Sequence, residues 1–254
     1  MNNMGCILVV KNLTKTFGGV RALNNVSMSL SGGITLVMGP NGSGKTTLIN
    51  CISGIYKPDS GKIEYNGIDI TGKPPHEIVR YGIVHTFQIP SPFKRLSVLE
   101  NLMVSAQNNR GEKLLRSIFK REWIKEEREN FEKSMEILEL LNLDHLYDQP
   151  AFVLSGGQLK LLEIGRALMT NAKLILMDEP VGGVNPVLAH QIFSHLRKIM
   201  KEMKIAFLVV EHRLDVAIKY VDYVYAMAEG KIISHGPPEK VVSDETVTKT
   251  YLSG

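Results

Sequence analysis

The sequence predicts an α/β fold: a core with a mostly parallel sheet, a small N-terminal antiparallel β element and a helical subdomain. Three observations predict it. Apolar runs of buried-strand length alternate with longer helical patterns. A glycine-rich turn joins one such run directly to a helix, and a long charged segment with helical periodicity interrupts the alternation.

In chain order, residues 1–25 read as the antiparallel element leading into Val26 to Leu30, because Gly18-Gly19 is a turn signal between two strand-like runs. The runs Ile34 to Met38, Ile83 to Phe87, Leu174 to Met177, Ile205 to Val210 and Tyr223 to Met227 read as buried strands. Helical patterns follow at Thr47 to Ser53 and Leu159 to Met169. Gly111 to Leu141 is rich in Lys, Arg and Glu, and its apolar Phe131, Met135, Leu138 and Leu141 are spaced for one face of a helical arm. Val247 and Tyr251 suit a short terminal helix. The whole reads as a single domain over 1–254, with a core from 1–88 and 171–254 and a helical subdomain at 89–170.

Composition narrows the class. With 254 residues, 44% hydrophobic and 22% charged, the chain has the balance of a globular protein with a sizeable core. Its apolar runs are far shorter than the roughly 20 residues a membrane-crossing helix needs. The first ten residues lack a cationic start and a long apolar stretch, so no secretory leader is expected. Cys6 and Cys51 have no metal-like spacing and read as reduced, packed thiols. The net charge of +4 is compatible with nucleic acid, an anionic surface or solubility alone.

Gly39-Pro40-Asn41-Gly42-Ser43-Gly44-Lys45-Thr46 fits GxxxxGK[ST] between a strand and a helix. Glycines let successive backbone N–H groups turn inward, and the helix that follows adds its positive end to the same anion site. Lys45 then serves the β- and γ-phosphates of a nucleotide, the Thr46 hydroxyl ligates Mg²⁺, and Thr47 lies near the phosphates. Leu174 to Met177 delivers Asp178 and Glu179 to a strand end, where open α/β sheets bind ligands. Asp178 suits Mg²⁺ held through water, and Glu179 suits the base that orients or deprotonates the attacking water. Leu154-Ser155-Gly156-Gly157-Gln158 reads on spacing alone as a capped helix start, with Ser155 as N-cap. Taken singly, Gln88 reads as an ordinary polar residue after a strand and His212 as a structural histidine, and Phe17 is compatible with a core aromatic.

Together, in this order and separation, these segments resemble the ABC (ATP-binding cassette) ATPase family, a branch of the P-loop NTPases, over essentially the whole chain. The resemblance implies ATP and Mg²⁺ as ligands and ATP hydrolysis as the activity. It implies two cassettes joined head to tail by ATP, as homo- or heterodimer, with the Leu154 to Gln158 signature of one completing the nucleotide site of the other. Residue by residue, it assigns Gln88 to Mg²⁺, the attacking water and coupling. His212 becomes the switch histidine on the γ-phosphate, and Phe17 the ring stacked on adenine. Asn185 stands in the loop after Glu179 where the family usually carries Asp, which removes a charge from a dimer contact.

Three stretches are similar to the LivG-like ATPases of branched-chain amino-acid importers: His85 to Gln88 running into Phe93 to Leu102, the insert around Ser117 to Glu127, and Ala167 to Asn171. Related cassettes for urea, amide or lipopolysaccharide transport share much of this. The implied partners are a second cassette, transmembrane permease subunits and, indirectly, a substrate-binding protein, at the cytoplasmic face of the membrane. A soluble cassette acting on nucleic acid or ribosomes is the rival reading, and the single cassette without heptads counts against it. The segment beginning near Val98, with Phe93, Leu96 and Leu99, is the expected docking surface for the permease.

Overall fold

The computed structural model describes residues 7–86, 91–106 and 120–252. The chain divides into two compact units, residues 1–88 with 173–254 and residues 89–172.

The first unit begins with β1 (Leu8–Phe17), β2 (Val20–Leu30), β3 (Ile34–Met38) and α1 (Lys45–Ile52). It continues through β4 (Ser60–Tyr65), β5 (Ile68–Asp69), α2 (Pro75–Arg80) and β6 (Ile83–Thr86). The second unit holds α3 (Val98–Met103), α4 (Lys120–Leu140) and α5 (Gly156–Met169). The first unit then resumes with β7 (Leu174–Asp178), α6 (Pro186–Met203), β8 (Ala206–Val210) and α7 (Leu214–Ala217). It ends with β9 (Tyr223–Ala228), β10 (Lys231–Gly236), α8 (Pro238–Val242) and α9 (Glu245–Leu252).

Two sheets organise the first unit. The six-stranded sheet has the order β10-β9-β3-β8-β7-β6, parallel throughout except for the antiparallel edge strand β10. Every residue of β3, β7 and β8 is buried, as expected for strands covered on both faces. The other sheet, β2-β1-β4-β5, is antiparallel. Leu13, Leu23 and Ile63 from it share one buried cluster with Leu48 and Ile52 of α1 and with Leu176 and Leu208. Ala189, Ile192, Phe193, Leu196 and Ile199 bury one stripe of α6, which packs on β3 and β8.

In the second unit α3, α4 and α5 pack on one another. Both α3 and α5 start in a capping box, Ser97 with Glu100 and Ser155 with Gln158.

Several expectations are corrected. β2 is one strand from Val20 to Leu30, so the chain does not wait for Val26 to pair. β4 and β5 enlarge the antiparallel element to a full sheet; their charged, short sequences hid them. α5 starts at Gly156 rather than Leu159, because the capping box places both glycines in the first turn. From Ile124 onward, where burial along α4 is described, the first buried side chain is Ser134: Leu138 and, just past the helix, Leu141 are buried, Met135 is half-buried, and Phe131 is 43% exposed. Cys51 is buried, which pushes its thiol up to about 11, while Cys6 lies outside the described residues.

Candidate functional site

Parallel pairing places β8 between β3 and β7, with Val37 opposite Val210 and Asp178 opposite Val210 on the other side. Whatever follows these three strands therefore emerges along one edge of the sheet. Three segments do so: the loop from Gly39, the acids Asp178 and Glu179, and Glu211-His212.

The loop after β3 turns back through Gly42 at φ 79° and Gly44 at φ 99°, conformations that L side chains rarely adopt. A Cβ on Gly44 would also press into the Ala22 carbonyl oxygen. Gly44 caps α1 without a side-chain bond, so no side chain satisfies the first-turn donors from that position. Lys45 is buried, and its Nζ donates to the carbonyls of Gly39 at 2.8 Å and Pro40 at 2.9 Å. An ammonium has three protons, so a third donor remains for a phosphate. Burial lowers the Lys45 ammonium from its ordinary value, while Glu179, Asp178 and Glu211 oppose the shift. Asn41, Gly42 and Thr46 are exposed; Pro40, Gly44 and Thr47 are half-buried.

At the end of β7 burial pushes the Asp178 carboxyl upward, and the hydrogen bond from the Thr46 hydroxyl works against it. Asp178 Oδ1 and Ser43 Oγ are buried with no hydrogen-bond partner among the described residues. Buried orphan oxygens are costly unless a ligand completes them. Glu179 stands at φ 50°, a left-handed conformation that costs a non-glycine residue about 1 kcal/mol or more. Its N–H donates to the Val210 carbonyl at 2.9 Å, and its Oε1 lies 3.5 Å from Nδ1 of His212. The sheet thus brings Lys45, Thr46, Asp178, Glu179 and His212 together.

One residue beside them was passed over in the sequence. Glu211 is fully buried, its Oε1 accepting from Val181 N at 2.9 Å and its Oε2 from His212 N at 3.1 Å and Arg213 N at 3.3 Å. The signal was present, since an acid after the apolar run Ala206 to Val210 repeats the pattern that singled out Asp178.

The ring of Phe17 is 42% exposed rather than core, set edge-on to Tyr56 with centroids 5.1 Å apart and Lys15 Nζ 5.3 Å from its centre. Tyr56, in a polar loop after α1, carried no sequence signal. Asn185 caps α6: its Oδ1 accepts from Leu188 N at 2.9 Å, so this oxygen is already engaged within the chain. Gln88 lies outside the described residues.

In the second unit Ser155 Oγ accepts from Gln158 N at 3.4 Å, and Ser155 N donates to Gln158 Oε1 at 2.9 Å. Ser155 and Gly156 are exposed; Leu154 and Gly157 are buried. Phe93 and Phe152 are exposed at 48% and 65%, while Leu96 and Leu99 are half-buried. Asn101, fully buried, holds the turn before α3 by accepting from Phe93 N and donating to the carbonyls of Phe93, Leu96 and Ser97.

A phosphate loop beside strand-end acids on a parallel sheet defines a P-loop nucleotide-binding protein. The chain belongs to the ABC transporter family, whose domain it matches over residues 23–182, and it is one of the family's ATP-binding, ATP-hydrolysing cassettes. It is 53% identical over 247 residues to a protein of Archaeoglobus fulgidus named as a probable branched-chain amino acid transport ATP-binding protein, LivG, covering 97% of this chain and 95% of that one. A crystal structure of the ADP conformation of an ABC transporter cassette superposes with a TM-score of 0.85 at 49% identity, over 98% of this chain and 99% of that one. A dimeric cassette in a post-hydrolysis state bound to ADP and Pi is similar at a TM-score of 0.74 and 26% identity, over 91% and 98% of the two chains.

Proposed function

We propose that this chain powers the uptake of branched-chain amino acids by hydrolysing ATP between itself and a second cassette, on the cytoplasmic face of transmembrane permease subunits served by a substrate-binding protein. One observation carries the chemistry: Lys45, Asp178, Glu179 and His212 all issue from neighbouring strand ends of one sheet. The cargo rests on the near full-length similarity to the LivG protein. Among the described residues no helix is long and apolar enough to cross a membrane, which suits a peripheral subunit.

In this reading Gly39 to Thr47 cradle the phosphates, with the third Lys45 proton directed at them, and Phe17 stacks on adenine. The Asp178 Oδ1 orphan and the adjoining Thr46 hydroxyl fit Mg²⁺, with Gln88 as a further ligand. Mg²⁺ would neutralise developing charge on the phosphate oxygens. Glu179 accepts the proton of the attacking water, and His212 holds the γ-phosphate and orients Glu179. The start of α5, Ser155 to Gln158, exposed at Ser155 and Gly156, faces the nucleotide of a partner cassette, with Asn185 near the same interface. Because that contact exists only in the closed pair, ATP favours closure and its hydrolysis releases it.

The permease is expected to dock on Phe93, Leu96 and Leu99, with Phe152 brought alongside by the bond from its N–H to the Lys94 carbonyl at 3.1 Å. Co-expression with candidate permease and binding-protein subunits, reconstitution and labelled-substrate uptake test the whole. ATP-dependent uptake of leucine, isoleucine or valine is the expected result. Uptake of urea or an amide, or stimulation by lipopolysaccharide instead, would replace the cargo and keep the cassette. Phe93→Ala should weaken co-purification of the permease and leave the ATPase rate of the isolated cassette within about twofold.

A further inference from the structure

A carboxylate with no solvent exposure is costly to bury, and β8 could have ended on another apolar side chain. Glu211 instead collects N–H groups from two segments. Val181, two residues beyond Glu179, donates to one oxygen; His212 and Arg213 donate to the other. The Arg213 guanidinium returns across the same gap to the Val184 carbonyl at 2.9 Å. The loop after Glu179 and the segment carrying His212 are thereby clipped twice. Glu179 needs such a clip, because a left-handed glutamate persists only where its surroundings over-determine it.

We infer that Glu211 is a positioning residue for hydrolysis: its buried carboxylate locks the loop of Glu179 to the segment of His212, so that the two side chains meet the γ-phosphate as one rigid unit. This rests on the hydrolytic roles proposed for Glu179 and His212. Glu211 is fully buried and acts through the segments it holds. It supports the 3.5 Å approach of Glu179 Oε1 to His212 Nδ1 through the backbone on both sides, and its Oε2 also lies 3.9 Å from His212 Nδ1 itself. Glutamine at this position keeps the shape but has a single acceptor oxygen, so one of the two segments faces an amide NH₂ instead of an acceptor.

The test is a cycle of wild type, Glu211→Gln, His212→Ala and the double variant, scored by kcat at saturating ATP and by the dissociation constant for ATP. Glu211→Gln should lower kcat about tenfold or more and change ATP affinity less than about twofold. With His212 already replaced, Glu211→Gln should cost clearly less than in the wild-type background, because of the pair it aligns only Glu179 remains. Equal losses of kcat in both backgrounds, or a loss of affinity without a loss of kcat, would mark Glu211 as a structural residue and overturn the inference. Should Glu211→Gln lower the melting temperature, Arg213→Ala opens the clip from its exposed side. It should show a smaller loss of kcat with the same dependence on His212; independence of His212 again overturns the inference. A wild-type rate from His212→Ala removes the hydrolytic reading itself. A collapsed rate there beside an unimpaired Glu211→Gln removes only the clip.

Discussion

Two glycine-rich helix starts, those of α1 and α5, look alike in the sequence and are built differently. α1 opens from a left-handed Gly44 that offers no side-chain cap, with Lys45 buried and turned back onto the loop carbonyls. α5 opens from Ser155 in a closed capping box, its end exposed and already satisfied at Gln158 N. The first leaves donors and a cation for a ligand of its own. The second is a helix end closed by its own side chains, exposed at Ser155 and Gly156. In the proposed dimer one nucleotide touches both kinds of end, each from a different subunit.

The largest expected effect tests whether the two ends meet. Glu179→Gln should cut hydrolysis by about 10² to 10⁴-fold and hold an ATP-bound dimer on size-exclusion chromatography. A variant that elutes as monomer with ATP would separate the α1 end from any partner's α5 end. Next, Lys45→Ala should weaken ATP binding to the isolated chain by roughly 10 to 100-fold, since a charge-assisted bond to phosphate contributes about 1.5–3 kcal/mol. Calorimetry on the monomer reads this directly, and an unchanged affinity would deny the α1 end its ligand.

Ser155→Ala sharpens the contrast. It should cost about 1 kcal/mol of stability through the lost cap and weaken the ATP-dependent dimer, with monomer affinity for ATP unchanged. A drop in monomer affinity would mean that the α5 end serves its own subunit. The smallest effect is expected at Phe17→Ala, where a lost aromatic contact of about 0.5–1.5 kcal/mol lowers ATP affinity roughly two- to twelvefold. Titration of ATP against triphosphate alone should show that only ATP is affected.

Elements with strong local signals were legible. The five strands expected from apolar runs are found within a residue or so of their expected ends over the described residues, because a parallel strand covered on both faces is apolar along most of its length. β4 and β5 were not legible, since strands with charged faces carry no such run. At the site, Lys45, Asp178 and Glu179 announced themselves as motifs. Glu211 was masked by the histidine beside it, and Tyr56 acquires meaning only because the fold brings it to Phe17.

By itself the sequence determined the parallel core, the glycine-rich loop with its lysine and the pair of acids at a strand end, because spacing along one chain dictates which groups leave the end of one strand or open one helix. Only the tertiary structure decided which strand ends are neighbours, that Glu179 is held left-handed, and that Glu211 binds two loops at once. Those depend on sheet order and on backbone N–H groups, which every residue carries and no residue type reveals.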